Sequence, residues 1–134
     1  LKNKSTFQKG WLNTGDLWKI KNNYWYYEGR EDDLIKVASK WVNPKEIEKI
    51  AIKIEGVLDA FCVAALSEDD THRIALFLYT KLKNNNTIKT NLKTKIELLP
   101  NYKKPYWIKI INKLPQTTTG KVRRDLLKKI IEKK

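Results

Sequence analysis

The chain has 134 residues, 41% hydrophobic and 32% charged, a balance that suits one folded domain and excludes wholesale disorder. Its longest apolar stretch, residues 57–66, is broken by Asp59 and falls far short of the roughly 20 residues of a membrane span. The formal charge of +13 lies entirely in residues 81–134, with 16 Lys and Arg against 3 Asp and Glu, a basic half suited to a polyanion or simply to solvated helix faces.

The N-terminus, Leu1-Lys2-Asn3-Lys4-Ser5, has no apolar h-region, which argues against a signal peptide; the lack of methionine suggests a segment excised from a longer chain. Residues 18–21 and 24–28 flank Asn22-Asn23, two residues that tolerate the positive φ of a tight turn, so a β-hairpin is predicted there. A second, smaller hairpin is predicted from residues 34–37 and 41–42, with Ala38-Ser39-Lys40 at an exposed tip. Asn43-Pro44-Lys45-Glu46 is a helix start: a capping side chain, proline at the first position and Glu at the third. Ile47, Ile50, Ala51 and Ile54 continue it as one apolar stripe that Gly56 ends.

Residues 57–66 and 73–81 read as adjacent strands across the polar turn Ser67-Glu68-Asp69-Asp70. The lone Cys62 lies within the first of these, where a small hydrophobe would pack, and is expected to be a buried, inert thiol; cytoplasmic placement follows. Ile88, Leu92, Ile96 and Leu99 recur at helical spacing up to Pro100, and residues 106–111 read as a third strand. A last helix carries Leu126, Leu127, Ile130 and Ile131, with a lysine-rich end suited to the negative pole of its dipole. The sum is an α+β body: about three helices packed on a small mixed or antiparallel sheet, preceded by a β-hairpin.

Three segments spend glycine, proline and charge where a plain core would be apolar. They are Gly10-Trp11-Leu12-Asn13-Thr14-Gly15-Asp16-Leu17; Gly29-Arg30-Glu31-Asp32-Asp33-Leu34-Ile35-Lys36-Val37 with Trp41-Val42-Asn43-Pro44-Lys45-Glu46-Ile47-Glu48; and Leu114-Pro115-Gln116-Thr117-Thr118-Thr119-Gly120-Lys121-Val122-Arg123-Arg124. In this order and spacing they resemble the adenylate-forming family of acyl-CoA synthetases, luciferases and peptide-synthetase adenylation domains. The segment around Lys36-Val37 and Trp41-Val42-Asn43-Pro44 resembles benzoate-type CoA ligases more than fatty-acid ones.

That resemblance implies an enzyme that joins a carboxylate to ATP as an acyl-adenylate and then passes the acyl group to coenzyme A. Residues 1–31 would be the end of an N-terminal domain with its linker hairpin, and residues 32–134 a mobile C-terminal domain, inactive alone. It implies Asp16 as acceptor for the ribose hydroxyls, and Arg30 near the ribose and phosphate. Asp32 becomes the hinge, and Lys121 the catalytic cation. Val37, Ala38, Ser39 and Lys40 become the tip that lines the tunnel for coenzyme A. At Ser39 most relatives carry glycine, and serine resists positive φ.

Plainer readings stand beside these. Asp16 could cap Leu17 or Trp18, Arg30 could pair with Glu28 or Glu31, and Asp32 could be a simple loop acid. An ATPase-type phosphate loop at Lys121 fails, because Gly-x-x-x-x-Gly-Lys-Ser/Thr is absent and Val122 occupies the hydroxyl position. ATP with magnesium and coenzyme A are the expected cofactors of the full-length enzyme, none held tightly by this chain, and no metal site is expected within it. The expected partners are the N-terminal adenylate-forming domain and a carboxylic acid, aryl by the resemblance, with no nucleic acid and no membrane span. The competing function is a basic nucleic-acid-binding module stacking bases on Tyr102, Tyr106 and Trp107.

Overall fold

A computed structural model gives the fold of residues 7–8, 11–12 and 15–132. It has two units, Leu1–Leu34 and Ile35–Lys134.

In the first unit, β1 (Phe7–Gln8) pairs antiparallel with β2 (Trp11–Leu12), and β3 (Asp16–Lys21) with β4 (Tyr24–Arg30). The turn between β3 and β4 is the expected Asn22-Asn23, with φ of +53° and +65°. Asparagine adopts this left-handed backbone more readily than most residues, and the primed turn it makes matches the strand twist. Trp18 and Tyr27, opposite each other, meet edge to face with centroids 5.3 Å apart. A 3-10 turn, Glu31–Asp33, follows β4.

The second unit begins with the predicted small hairpin, β5 (Ile35–Val37) and β6 (Lys40–Val42). Its turn is two residues, Ala38-Ser39, and Lys40 belongs to the strand rather than to the turn. Helix α1 (Pro44–Ile52) starts as expected: the Asn43 side chain accepts from the Lys45 N–H at 3.1 Å, with proline in the first turn. The α-helix closes at Ile52, and successive turns, Ile54 N–H to the Ala51 carbonyl and Val57 N–H to that of Ile54, carry the chain past Gly56.

Strands β7 (Asp59–Leu66) and β8 (His72–Tyr79) pair antiparallel, then α2 (Asn86–Glu97) leads to β9 (Trp107–Ile111), parallel to β8. The sheet order β7-β8-β9 is therefore mixed, and α2 supplies the crossover that a parallel neighbour requires. Helix α3 (Arg124–Glu132) ends the described chain.

The central strand β8 is buried on both faces, which is why residues 74–78 form an unbroken apolar run. Ile74, Leu76 and Leu78 join α1 and α2 in one core with Ile47, Ala51, Ile88 and Leu92. Ala75 and Phe77 point the other way, into a second core with Phe61, Val63, Leu127 and Ile131. The last helix buries only half of its expected stripe: Leu127 and Ile131 are inside, whereas Ile130 is 48% exposed. One helix on one small sheet face needs a narrow stripe, so positions 127 and 131, four apart, suffice. Cys62 is buried, as its neighbours suggested.

Candidate functional site

In the first unit, Asp16 and Arg30 are cross-strand partners at the open end of the β3–β4 hairpin. A bulge puts them there. Trp18 pairs with Tyr27 but Leu17 pairs with Gly29, leaving Glu28 without a partner residue, so Asp16 faces Arg30 where an unbroken register would give Gly29. Arg30 Nη1 lies 3.4 Å from Asp16 Oδ1. Gly15, at φ +74°, fits beneath: a Cβ there would come within 3.0 Å of Arg30 Nη2. The Glu31 N–H donates to the Gly15 carbonyl at 2.7 Å, tying the two strand ends together. The result is a carboxylate and a guanidinium fork side by side, both partly exposed, able to accept from hydroxyls and donate to oxyanions.

The register supplies Asp16 as a partner of Arg30; the side chain of Glu28 lies outside the described part of the structure. Asp32 sits within the 3-10 turn, and its side chain lies outside the described part of the structure. Gly10, Asn13 and Thr14 of the first motif also fall outside the described residues.

In the second unit, Val37 is buried while Ala38, Ser39 and Lys40 are exposed, so the hairpin presents its tip to solvent. Ala38 and Ser39 have φ of +47° and +67°. Ser39 thus adopts the left-handed backbone that glycine would adopt freely, and the serine leaves the tip's shape intact at a conformational cost. Ser39→Gly is expected to stabilise the chain by about 1 kcal/mol. Urea denaturation measures this; an unchanged or lower midpoint contradicts a strained tip.

Beside the tip lies a cavity of about 490 Å³ bounded by Val37, Ala38, Arg73, Tyr102, Lys104 and Tyr106. The Lys40 ammonium stands 4.6 Å from the Tyr102 ring centroid, and the Arg73 guanidinium 5.2 Å from that of Tyr106. Aromatic faces with three cations at one rim suit a flat ring that carries phosphates. Sequence reasoning missed this pocket, although Tyr102-Lys103-Lys104-Pro105-Tyr106 carries its chemistry in one run.

The Lys121 loop is a tight hairpin. Gln116 bridges Val122, the Thr117 N–H donates to the Lys121 carbonyl at 2.8 Å, and the Gly120 N–H to the Thr117 carbonyl at 3.0 Å. Gly120 takes φ +86° with open space around it, so its role is conformational: it reverses the chain and leaves Lys121 exposed. The Thr117 hydroxyl lies 2.9 Å from that of Thr119 and accepts from the Lys121 N–H at 3.2 Å. The Arg123 N–H closes the base onto the Pro115 carbonyl at 2.6 Å, immediately before α3.

Three residues past Lys121, Arg124 reaches inward. Its Nη1 donates to Glu48 Oε1 at 2.9 Å and to the Cys62 carbonyl at 2.7 Å. Glu48 is 6% exposed, and the same oxygen accepts the Cys62 N–H at 2.9 Å, while Lys45 Nζ lies 3.4 Å from its other oxygen. Burial pushes the Cys62 thiol well above its ordinary range and the Glu48 charge pushes it further, against Arg124 and Lys45. This network was absent from the sequence reading. The available signal was an acid, Glu48, set among the apolar Ile47, Ile50 and Ala51 of α1.

A family model described as AMP-binding enzyme C-terminal domain matches residues 46–121. The chain is 36% identical over 129 residues to benzoate–CoA ligase of Thauera aromatica, covering 92% of this chain and 24% of that protein. It is 30% identical over 131 residues to 3-hydroxybenzoate–CoA ligase of Aromatoleum sp. (strain CIB), covering 95% and 25%. Among solved structures, an anthranilate CoA ligase in complex with anthranoyl-AMP superposes with a TM-score of 0.78 at 29% identity, over 96% of this chain and 26% of that one. The chain thus spans about a quarter of the length of these relatives.

Proposed function

Because the chain belongs to the family of AMP-binding enzyme C-terminal domains, we propose that it is the catalytic lid of an ATP-dependent carboxylic acid–CoA ligase. In the first step a carboxylate oxygen attacks the α-phosphorus of ATP, and the bond to pyrophosphate breaks. In the second the thiol sulfur of coenzyme A attacks the acyl carbon, AMP leaves, and the thiol proton passes to solvent. The observation that carries this reading is the hairpin that lifts Lys121 into solvent on a Gly120 turn: a compact cation, held by its own backbone, directly before a helix. Such a charge suits the oxyanions that crowd together as the adenylate forms.

The other residues take matching roles. Asp16 accepts hydrogen bonds from the ribose hydroxyls, and Arg30, held against it, donates to ribose or phosphate oxygens. Asp32, in the turn between β4 and β5, is the pivot on which the second unit swings between the two steps. The Val37, Ala38, Ser39 and Lys40 tip lines the tunnel for the thiol arm, and the neighbouring aromatic, cationic cavity receives the phosphorylated nucleotide end of coenzyme A.

Residues 1–31 complete an N-terminal domain that supplies the phosphate loop and the acid pocket. The benzoate-type relatives make an aryl acid the favoured substrate. Magnesium would arrive with the ATP phosphates; no group of three or more His, Cys, Asp or Glu that could hold a metal occurs among the described residues. No helix among the described residues is long and apolar enough to cross a membrane. A cytoplasmic location is part of this proposal.

The nucleic-acid reading has no support from the family match: Trp107 packs against the second core, and Tyr102 and the exposed Tyr106 border the cavity assigned to coenzyme A. Pyrophosphate release tests the proposal. The full-length protein with ATP and a panel of benzoates and aliphatic acids should release pyrophosphate in an acid-dependent way, and then form a CoA thioester. This chain alone should release none. Absence of acid-dependent release from the full-length protein overturns the ligase reading, and release by the chain alone overturns the lid.

A further inference from the structure

Two side chains at the base of the Lys121 loop, Leu114 and Val122, pack against the second core, while its tip, residues 117–121, is exposed. Its internal bonds fix its shape: the Gln116–Val122 bridge, the Thr117–Lys121 pair and the Gly120 turn all lie within the loop. Shape does not fix direction. Besides the apolar packing at its base, the loop is tied to the body of the second unit through the start of α3, and there one side chain makes the long-range polar contacts. Arg124 bonds both a buried carboxylate on α1, 76 residues away in sequence, and the carbonyl of Cys62 on β7. Its guanidinium carbon also lies 5.7 Å from the Phe61 ring centroid.

Glu48 is an unusual residue to bury on a helix that could have spent the position on leucine. A buried carboxylate is tolerated only when it is well bonded, and this one has the Cys62 N–H, Arg124 and Lys45 around it. A pair of this kind contributes little net stability over an apolar packing of the same volume. It does fix geometry, because its hydrogen bonds are directional and the fork can satisfy them in one place only.

We infer that Glu48 and Arg124 are positioning residues for the Lys121 loop: the buried carboxylate on α1 holds the Arg124 fork, and the fork sets the direction in which the Gly120 hairpin projects Lys121. This rests on the reading of Lys121 as the cation of the adenylation step. Neither residue touches substrate. Their effect passes through Lys121, since a displacement of about 1 Å at a reacting group can lower a rate by about 10²-fold.

The experiment uses the full-length ligase with Arg124→Met, Lys121→Ala and the double variant. Arg124→Met keeps an unbranched apolar stem and removes the fork, together with its contact over the Phe61 ring. We expect acyl-adenylate formation to fall by at least about tenfold, with thioester formation from supplied adenylate near wild type. The double variant should be no slower than Lys121→Ala alone, because a misdirected loop is harmless once its lysine is gone. Glu48→Gln, which retains an oxygen acceptor without the charge, should show a smaller loss in the same step. In this chain by itself, the Gly120 and Lys121 amides should exchange with solvent faster in Arg124→Met, while the protection of β8 amides stays unchanged.

A double variant clearly slower than Lys121→Ala would mean that Arg124 acts on substrate directly and overturns the inference. So would wild-type adenylation by Arg124→Met, or equal loss of both half-reactions with β8 still protected. The underlying reading fails separately: it falls if Lys121→Ala alone leaves adenylation intact, whatever Arg124→Met does.

Discussion

Lys121→Ala in the full-length ligase is expected to slow acyl-adenylate formation by about 10² to 10³, the effect of removing one preorganised electrostatic donor from a reacting centre. The loop is built before substrate arrives: its backbone bonds close between Thr117, Gly120 and Lys121, so no reorganisation is required when charge develops. A solvated surface lysine offers at most about 1 kcal/mol through an exposed ion pair, well below the roughly 3 to 4 kcal/mol of the catalytic loss. Magnitude therefore separates the two roles. Conversion of supplied acyl-adenylate to thioester should continue near the wild-type rate, because in the proposed cycle the lid turns away before the thiol attacks. Rapid-quench measurement of the two half-reactions checks this. Equal loss of both would point to a folding defect, and loss of neither would make Lys121 a solvated charge.

Phe77→Ala has the largest expected effect on stability. Phe77 is fully buried on the central strand, in the core that holds α3 through Leu127 and Ile131. Truncating such a ring leaves a cavity between β8 and α3 and costs about 3 to 5 kcal/mol. A domain of this size has roughly 5 to 15 kcal/mol in total, so the variant should be close to half unfolded under mild denaturant. Equilibrium urea denaturation of the chain measures the shift. A loss below about 1 kcal/mol would mean that the second core contributes little. The two substitutions should divide cleanly: Lys121→Ala leaves the denaturation midpoint in place, whereas Phe77→Ala lowers it.

Most local structure was legible because its determinants are local. Asn22-Asn23 announces a primed turn, Asn43-Pro44-Lys45-Glu46 a helix start, and the runs on either side of residues 67–70 a strand pair; each occurs where expected. The stripe of Ile88, Leu92 and Ile96 likewise faces the core. What escaped depends on register or on distance in sequence. Asp16 meets Arg30 only because the bulge at Leu17 and Trp18 shifts the pairing by one residue, and no periodicity marks a bulge. Glu48 and Arg124 stand 76 residues apart and are joined by the packing of two helices against β7. The cavity beside the tip joins the run before β9 to residues of β5 and β8 that lie about 65 and 30 residues earlier, and only folding brings those walls together. Family resemblance supplied Lys121, Asp16 and the tip, while physical reading of the sequence supplied the scaffold that presents them.

Strand β7 lies at one margin of the three-stranded sheet, so half of its backbone groups point away from β8. Three of those N–H groups are taken by carboxylates: Ala60 by its neighbour Asp59, Cys62 by Glu48, and Leu66 by Glu132 from the far end of α3. The Cys62 carbonyl is taken by Arg124. A free strand margin is a template on which a second chain can add its own strand, the first step of aggregation. Here three of its N–H groups and one carbonyl are occupied by side chains of the same molecule. The polar network at the foot of α3 therefore also blunts strand addition, and a variant that opens it frees the Cys62 N–H and carbonyl for pairing with a second chain.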